Sequence, residues 1–235
     1  MQKEHIPCGP YERWFKRPFD ILCALAAMVV FWWLYAAIAV LVRVKLGRPV
    51  LFCQSRPGRE EKIFRLYKFR TMTNDRDEEG RLLPDEVRLT KFGSLLRSTS
   101  LDELPEAFNI LKGDMSVVGP RPQLVRDMVF MTSEQRRRHC VRPGLSGLAQ
   151  IRGRNAASWE GKLSADLEYI QRITFLGDVK IILVTLVKTL KREGVSAEGM
   201  ATAEDLGDYL LRQGRITREE YEQGRKEERE LLTAK

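Results

Sequence analysis

An uncharged apolar run from Ile21 to Val42 constrains this chain more than any other feature. A helix of about 22 residues can cross the roughly 30 Å of hydrocarbon in a bilayer. A buried helix this long and apolar on every face would be unusual in a chain of 235 residues. The apolar core of a cleaved signal peptide is shorter, about 7 to 15 residues. The run therefore predicts a membrane-inserted helix within a membrane-associated segment, residues 1–48.

Two properties of the run disagree about how it sits in a membrane. Basic residues mark the cytoplasmic side of such a segment, and here they flank both ends: Lys16, Arg17, Arg43, Lys45 and Arg48. That pattern favours a helical hairpin that enters and leaves by one face. However, no proline or glycine, the usual causes of a sharp kink, occurs between Phe19 and Leu46. On these grounds alone, a straight span and a re-entrant hairpin both remain open.

The charge of the whole chain favours an anionic partner, because its formal net charge is +8. Nucleic acid, phospholipid head groups and phosphorylated substrates all meet this requirement, so charge does not choose among them. The four cysteines form no CxxC pair and only two histidines accompany them, which argues against a structural zinc site. Scattered cysteines of this kind are typical of a reducing compartment.

Two adjacent carboxylates, Asp102 and Glu103, lie within the stretch RSTSLDELPEAFNILKGDMSVVGPRP. Ser100 and Glu103 have the spacing of a capping box, which predicts a helix that begins at Ser100. Pro105 fits the first helical position better, which moves the start to Leu104. Under either alternative the two acids lie near the exposed backbone N–H groups of a helix start.

Adjacent carboxylates suit phosphate and metal chemistry better than glycoside hydrolysis. Glycosidases need two acids at least about 5 Å apart across the scissile bond, which sequence neighbours rarely provide. Neighbours can instead divide the work, one carboxylate binding a hard cation such as Mg²⁺ and the other, kept ionised near a helix start, attacking. Arg97 and Arg121, on either side of the pair, can hold phosphate oxygens bidentately. The simpler alternative is a helix cap with two ordinary first-turn acids.

The remaining segments predict a mainly α fold with a little β, in which residues 49–202 form a compact domain of α/β type; the family resemblance given below implies that this domain is cytoplasmic and catalytic. A short β segment is expected at Val50–Phe52. Interfacial amphipathic helices are expected as well, and Val179–Leu190 is one that can lie against the bilayer or in the core; we expect partial core burial. Residues 203–235 predict a charged tail of one or two solvated helices, to which we assign no chemistry.

Further basic residues lie where phosphate could be bound. Lys68 and Arg70 belong to KIFRLYKFRTM, which is either a strand or an irregular extended segment. Arg142 and Arg154 recur near glycines, where the backbone can approach an anion closely. For Lys68 and Arg70 the alternative is a solvated basic edge.

A series of segments, in order and with few gaps, now resembles one family. They are KRPFDI, GRPVLFCQSRPG, KIFRLYKFRTM, RSTSLDELPEAFNILKGDMSVVGPRP, VRPGLSGLAQIRGRN and GDVKIIL. Together they cover about residues 13 to 200 and resemble the bacterial sugar transferases that make polyprenyl-diphosphate-linked sugars, the monotopic phosphoglycosyl transferases. The chain lacks the extra N-terminal domain of large members and is similar to the small PglC type, as GRNAASWEGKL and KREGVSAEGMAT also indicate.

The resemblance implies a two-step transfer through a covalent intermediate. In such enzymes the Asp of the DE pair attacks the sugar-linked phosphate of a UDP-sugar and releases UMP. A polyprenyl phosphate, such as undecaprenyl phosphate, then takes up the phosphosugar. Carried onto this chain, Asp102 is the nucleophile and Glu103 is the Mg²⁺ ligand. The expected donor carries an N-acetylated amino sugar, and the expected phosphate or nucleotide contacts are Arg97 and Arg121, followed by Lys68, Arg70, Arg142 and Arg154.

The same resemblance implies a place at the bacterial inner membrane, with the catalytic domain on the cytoplasmic face. Membrane lipid is then a partner, nucleic acid is not, and a homodimer is left open. Family members of this type usually carry a Ser-Pro that breaks the helix in mid-membrane, where this chain has Phe31-Trp32-Trp33. Because basic residues flank both ends, we still predict re-entry.

Two other classes of function compete with the transferase. One is a non-catalytic, membrane-anchored scaffold that binds anionic lipid through its basic surface. The other is a basic nucleic-acid binder, against which the apolar run and the lack of a recognisable binding motif both argue.

Overall fold

The computed structural model describes residues 9–153, 158–191 and 204–233. This part of the chain is mainly helical with little strand, as the sequence predicts. The strands are β1 (Leu51–Pro57), β2 (Ile63–Phe69), β3 (Ser116–Val118) and β4 (Gly144–Ser146). The helices are α1 (Lys16–Lys45), α2 (Asp85–Arg88), α3 (Lys91–Ser98), α4 (Glu106–Lys112), α5 (Val125–Met128), α6 (Ser133–Arg136), α7 (Leu148–Gly153), α8 (Trp159–Gln171), α9 (Phe175–Leu190), α10 (Leu206–Arg212) and α11 (Arg218–Thr233).

The predicted apolar helix is confirmed as α1, an uninterrupted α-helix of 30 residues. A π-helical turn, Tyr11–Phe15, precedes it. The two together are long and apolar enough to cross a membrane, by length and composition. Continuity follows from a sequence that has no proline or glycine within the apolar run.

Both ends of α1 pack against the rest of the protein, whereas its middle does not. Asp20 and Ala24 are buried near the start of the helix, and Ile38 and Val42 are buried near its end. These positions lie on one helical face, because they recur at multiples of about 3.6 residues. Between them, Val29–Trp33 is exposed throughout. The helix is thus held at two places separated by an exposed, aromatic apolar segment.

The start of α1 is fixed by a buried polar network around Asp178 of α9. The Asp178 carboxylate has no solvent exposure and accepts hydrogen bonds from Tyr11 Oη at 2.8 Å, Tyr169 Oη at 2.9 Å and Lys16 Nζ at 2.6 Å. Because a buried carboxylate is tolerated only when it is paired, these bonds require α1, α8 and α9 to meet here.

A two-stranded ribbon carries one basic side chain toward α4. Strands β1 and β2 are antiparallel, with Phe52 opposite Lys68. Side chains alternate along a strand, so Lys68 lies on the same face as Leu66 and Phe64, which are buried in a core cluster with residues of α4. Asn109 of α4 fixes this arrangement, since its amide donates to a carbonyl of β2 at 2.7 Å and its Oδ1 accepts from Tyr67 N at 3.0 Å.

The acid pair lies in a 3₁₀ turn, Leu101–Glu103, that separates α3 from α4. The capping box proposed at Ser100 does not form, because Ser100 has a φ of 55° and its side chain makes no capping hydrogen bond. Pro105 occupies the N-cap of α4 instead, which places the helix start close to the second alternative. Gly113, with a φ of 94°, ends α4.

Helix α9 presents most of its apolar side chains outward. Within the segment Val179–Leu190, for which we expected partial core burial, Leu186 and Leu190 are exposed and Ile182 is half-buried. The buried side is formed by Asp178 and Ile181. The expected partial core burial is thus confirmed, since Ile181 joins a core cluster against which Ile182 packs, but periodicity did not indicate that the rest of the apolar stripe would be exposed.

The charged tail is helical, and its inner side is not solvated as we expected. Thr217 and Glu220 form a capping box at α11, with backbone-to-side-chain bonds of 2.7 and 3.1 Å. However, Leu206 and Leu210 of α10 are buried with Trp159 and other core residues. The docking of α10 and α11 thus corrects the solvated-tail prediction, which was based on charge composition alone.

Candidate active site

Glu103 lies at the centre of a cluster of charged side chains. Its Oε1 accepts a hydrogen bond from Lys68 Nζ at 2.7 Å and a short one from Arg121 Nη2. Its Oε2 is less engaged, 3.4 Å from Arg121 Nη1. Burial alone would raise the pKa of Glu103, but the charges and hydrogen bonds of Arg121 and Lys68 outweigh it and hold that pKa well below its usual range. Glu103 is therefore ionised near neutral pH and forms ion pairs with both Lys68 and Arg121.

Asp102 is the adjacent acid, and it is buried with no hydrogen-bond donor. Its exposed fraction is 7%, and no described group donates to its carboxylate. Burial and the negative charge of Glu103 raise the pKa of Asp102 to about 6, against the opposing charges of Lys68, Arg97 and Arg121. Near neutral pH the group is an ionised, weakly solvated carboxylate, which is the state that a nucleophile requires.

Glu106, a third acid, belongs to the same cluster and was missed by the sequence analysis. It is 2% exposed, and its Oε1 lies 3.2 Å from Lys68 Nζ. Burial raises its pKa to about 7, although Lys68 opposes the shift. A signal was present, because Glu106 follows Glu103 by three residues and Asp102 by four, which is the spacing of neighbours on one helical face.

The predicted arginines separate into two groups. Arg121 binds Glu103 directly, and Arg97 donates from Nε to Thr71 Oγ1 at 3.0 Å while its charge acts on Asp102. The structure thus brings Arg97, Arg121 and Lys68 together around the acid pair.

Two further predicted basic residues, Arg70 and Arg142, are not part of this cluster. Arg70 Nη1 donates to the Arg48 carbonyl at 2.6 Å, in the loop after α1. Arg142 Nε donates to the Gly113 carbonyl at 2.8 Å, at the opposite end of α4 from the acids. Both therefore hold main-chain turns. Arg154 lies outside the described residues.

The donor set fits a hard cation with few protein ligands. Within residues 9–153, 158–191 and 204–233, no group of three or more His, Cys, Asp or Glu side chains is arranged for a metal ion. Mg²⁺, however, is usually held by only one or two carboxylates, with water and substrate phosphates as its other ligands. Asp102 and the less engaged Oε2 of Glu103 supply such a pair.

Comparison with known proteins places these residues in a family. The family model described as "Bacterial sugar transferase" matches residues 11–192. The chain is 50% identical over 195 residues to the sugar transferase EpsL of Bacillus subtilis, covering 80% of this chain and 94% of that relative.

Two larger relatives have names that state a reaction. One is the UDP-N-acetylgalactosamine-undecaprenyl-phosphate N-acetylgalactosaminephosphotransferase of Aeromonas hydrophila, 37% identical over 76% of this chain and 44% of the relative. The other is the UDP-glucose:undecaprenyl-phosphate glucose-1-phosphate transferase of Xanthomonas campestris, 37% identical over 73% of this chain and 38% of the relative. The match thus spans about two-fifths of these longer proteins. The resemblance inferred from the sequence is confirmed, and the chain belongs to the bacterial sugar transferase family.

Proposed function

We propose that this protein transfers a phosphosugar from a UDP-sugar to a polyprenyl phosphate such as undecaprenyl phosphate. The products are UMP and a polyprenyl-diphosphate sugar, the first membrane-bound intermediate of a glycoconjugate. The observation that carries this proposal is the buried Asp102 carboxylate, which accepts no hydrogen bond from the described residues and lies beside a Glu103–Lys68–Arg121 cluster. The names of the relatives, which transfer sugar phosphates to undecaprenyl phosphate, support the general reaction.

In the first step, an Asp102 oxygen forms a bond to the sugar-linked phosphorus of the donor. The bond from that phosphorus to the bridging oxygen breaks, and the electron pair leaves with UMP. Lys68, Arg97 and Arg121 provide the positive charge that the diphosphate and its leaving group require. Burial of Asp102 reduces its hydration, so the attacking carboxylate needs little desolvation when it reacts.

In the second step, a phosphate oxygen of the polyprenyl phosphate attacks the same phosphorus. The bond to Asp102 breaks, which restores the carboxylate and gives the diphosphate product. A covalent intermediate lets a soluble nucleotide sugar and a membrane lipid use one site in turn. The two substrates therefore need not be bound together.

We propose Mg²⁺ as the metal, with Glu103 as its ligand. When bound, it supplies further positive charge for the phosphate oxygens. A cation at Glu103 must share this carboxylate with Lys68 and Arg121.

We propose that α1 is re-entrant in the sense that both of its ends lie on the cytoplasmic face together with the catalytic domain, although the helix itself is uninterrupted. Support comes from the burial of Ala24 and Val42 against the same body of the protein, with Val29–Trp33 exposed between them. About 27 Å of straight helix would separate those two residues, close to the thickness of the hydrocarbon core, so a perpendicular span would carry one of them to the far side.

This topology can be tested in a cysteine-free variant with single cysteines at Glu12 or Arg59. Re-entry predicts that both react only with a reagent on the cytoplasmic side. Labelling of the Glu12 position from outside alone would show that α1 spans the membrane.

The reaction is tested by UMP release from a panel of UDP-sugars in the presence of polyprenyl phosphate and Mg²⁺. We propose an N-acetylated amino sugar as the preferred donor, following the resemblance to the small PglC type. Asp102→Asn should abolish turnover and the transfer of radiolabelled phosphosugar to the protein, with an unchanged unfolding temperature. Normal turnover in Asp102→Asn would exclude Asp102 as nucleophile, and lipid binding without turnover of any donor would favour the scaffold.

A further inference from the structure

The loop that carries Arg121 has an unusual arrangement of main-chain hydrogen bonds. Arg121 lies between two prolines, after β3 and before α5, in a segment without helix or strand structure. Three successive carbonyls in this loop, those of Pro120, Arg121 and Pro122, each accept a hydrogen bond from a different part of the chain. The donors are Gly144 N at 3.0 Å, Arg138 Nη2 at 2.6 Å and Arg56 Nη1 at 3.1 Å.

Arg138, which donates to the Arg121 carbonyl, is held in place by burial and by an ion pair. It is 2% exposed, and its charge is compensated by Asp166, itself 1% exposed, through bonds of 3.0 and 2.6 Å to the same Oδ2. A buried ion pair contributes little net stability compared with apolar residues of similar volume. Its effect is instead on position, because the Arg138 Nη2 group that binds Asp166 also donates to the Arg121 carbonyl.

Arg56 binds the next carbonyl, that of Pro122, and forms no ion pair with a carboxylate among the described residues. Its guanidinium donates to the Pro122 carbonyl and to Gln54 Oε1 at 2.7 Å. Burial and the neighbouring Arg121 lower its pKa to about 10, which leaves it charged at physiological pH. A buried cation indicates a specific task, and its hydrogen bond to the Pro122 carbonyl connects it to the arginine loop.

We propose that Arg56 and Arg138, the latter oriented by Asp166, are positioning residues for Arg121. Resting on the proposed function, the inference is that they fix the main chain on both sides of Arg121, so that its guanidinium meets Glu103 and the donor phosphates. Proline rings restrict φ on either side, and the arginines fix the carbonyls between them. Arg121 is thereby preorganised before the substrate arrives.

The experiment compares variants of these positioning residues, called the brace variants, in two backgrounds: with Arg121 intact and with Arg121→Ala. Arg138→Met combined with Asp166→Leu removes the hydrogen bond to Arg121 without leaving a buried unpaired charge, and Arg56→Met removes the second one. With Arg121 intact, each variant should lower kcat by about tenfold or more, because a misplacement of about 1 Å can have effects of that size. In an Arg121→Ala background the same changes should lower kcat by no more than about twofold, since coupled residues are not additive.

Two controls separate positioning from folding and from failure of the proposed function. Arg136→Met, which removes a neighbouring arginine paired with Glu61 and Glu227, should leave kcat unchanged. Independently of activity, the ¹⁵N resonance of Arg121 Nε, assigned by its loss in Arg121→Lys, should report slow N–H exchange in the parent protein and faster exchange in the brace variants.

Absence of turnover in the parent protein would refute the proposed function. The Nε–H measurement would still test whether Arg56 and Arg138 fix the position of Arg121. An equal fall in kcat in both backgrounds would overturn the inference. So would unchanged kcat and unchanged Nε–H exchange in the brace variants.

Discussion

Lys68 Nζ lies 2.7 Å from Glu103 Oε1, and together with Arg121 it keeps Glu103 ionised beside the buried Asp102. Glu103, which also binds Arg121, has a pKa well below its usual range despite its burial. Asp102, buried beside that negative charge, has a pKa raised to about 6. The two neighbours in sequence therefore differ in pKa, and among the described residues only Glu103 has hydrogen-bond donors.

The pKa of Asp102 predicts an acidic limb in the pH profile of the transferase. Because Asp102, as the proposed nucleophile, must be ionised to attack, kcat/KM should fall about tenfold per pH unit below pH 6 and level off above it. The measurement is UMP release between pH 5 and pH 8. Glu106→Gln should retain the limb, and its loss in that variant would assign the titration to Glu106 instead.

Removal of the Lys68 charge should shift that limb. Lys68 lowers the pKa of Asp102, so Lys68→Met should move the limb to higher pH and reduce kcat at neutral pH by about tenfold or more. Lys62→Met is the control, since Lys62 lies on an exposed edge and pairs only with Glu60 among the described residues. A limb at the same pH in Lys68→Met and in the parent protein would contradict this assignment.

Glu106 should make stability depend on pH. Its pKa rises from 4.5 to about 7 on folding, so between these values the folded state binds more protons than the unfolded state, and stability falls as pH rises. Glu106→Gln should therefore raise the unfolding temperature at pH 8, and the gain should shrink toward pH 4.5. Thermal unfolding in detergent across this range measures it. A constant difference at all pH values would show that Glu106 does not titrate there.

Composition and local spacing were sufficient for the membrane helix and for part of the site. The uncharged run gave α1, and the acid pair with its flanking arginines gave the centre of the cluster. Lys68 and Arg70 show where such reasoning ends. They are two residues apart, so a continuous strand would place both side chains on the same face. However, β2 ends at Phe69, so strand alternation directs the Lys68 side chain toward Glu103 and does not determine the direction of Arg70.

Contacts between distant parts of the chain could not be predicted in this way. Arg56 and Arg138 reach carbonyls 66 and 17 residues away, and nothing in their local sequence distinguishes them from exposed arginines. The tail was misjudged for a similar reason, because its many charges concealed an inner side that only the partner surface defines. Burial, unlike periodicity, is a property of the assembled fold.

The pairing of Lys16 with Asp178 should be important for the stability of the membrane-proximal part of the protein. Lys16→Met leaves the buried Asp178 carboxylate without its cation, and we expect it to destabilise the fold by about 3 kcal/mol or more. Lys180→Met, on an outer position of α9, is the control. Denaturation in detergent or nanodiscs measures both. Equal stability of the two variants would show that the tyrosine hydroxyls alone can hold Asp178.

The docking of the tail depends on two glycines that enclose Phe130. A Cβ on Gly224 would lie 2.4 Å from Phe130 Cε1, and one on Gly207 would lie 2.5 Å from Phe130 Cε2. The ring also stacks on Tyr221, with centroids 5.6 Å apart and an angle of 14°. Gly224→Ala should therefore displace α11, although alanine favours a helix. Faster hydrogen exchange in α10 and α11 measures the displacement.

Gln223→Ala is the matched control for this change, because it alters the neighbouring, exposed position of the same helix. It should leave the exchange rates unchanged. If steric conflict with the ring is the cause, Phe130→Leu should partly restore protection in the Gly224→Ala background, since the smaller side chain leaves room for the added methyl group. Unchanged exchange in Gly224→Ala would mean that the tail is held by its ion pairs, such as Arg126 with Asp205 at 2.9 Å, rather than by packing around Phe130.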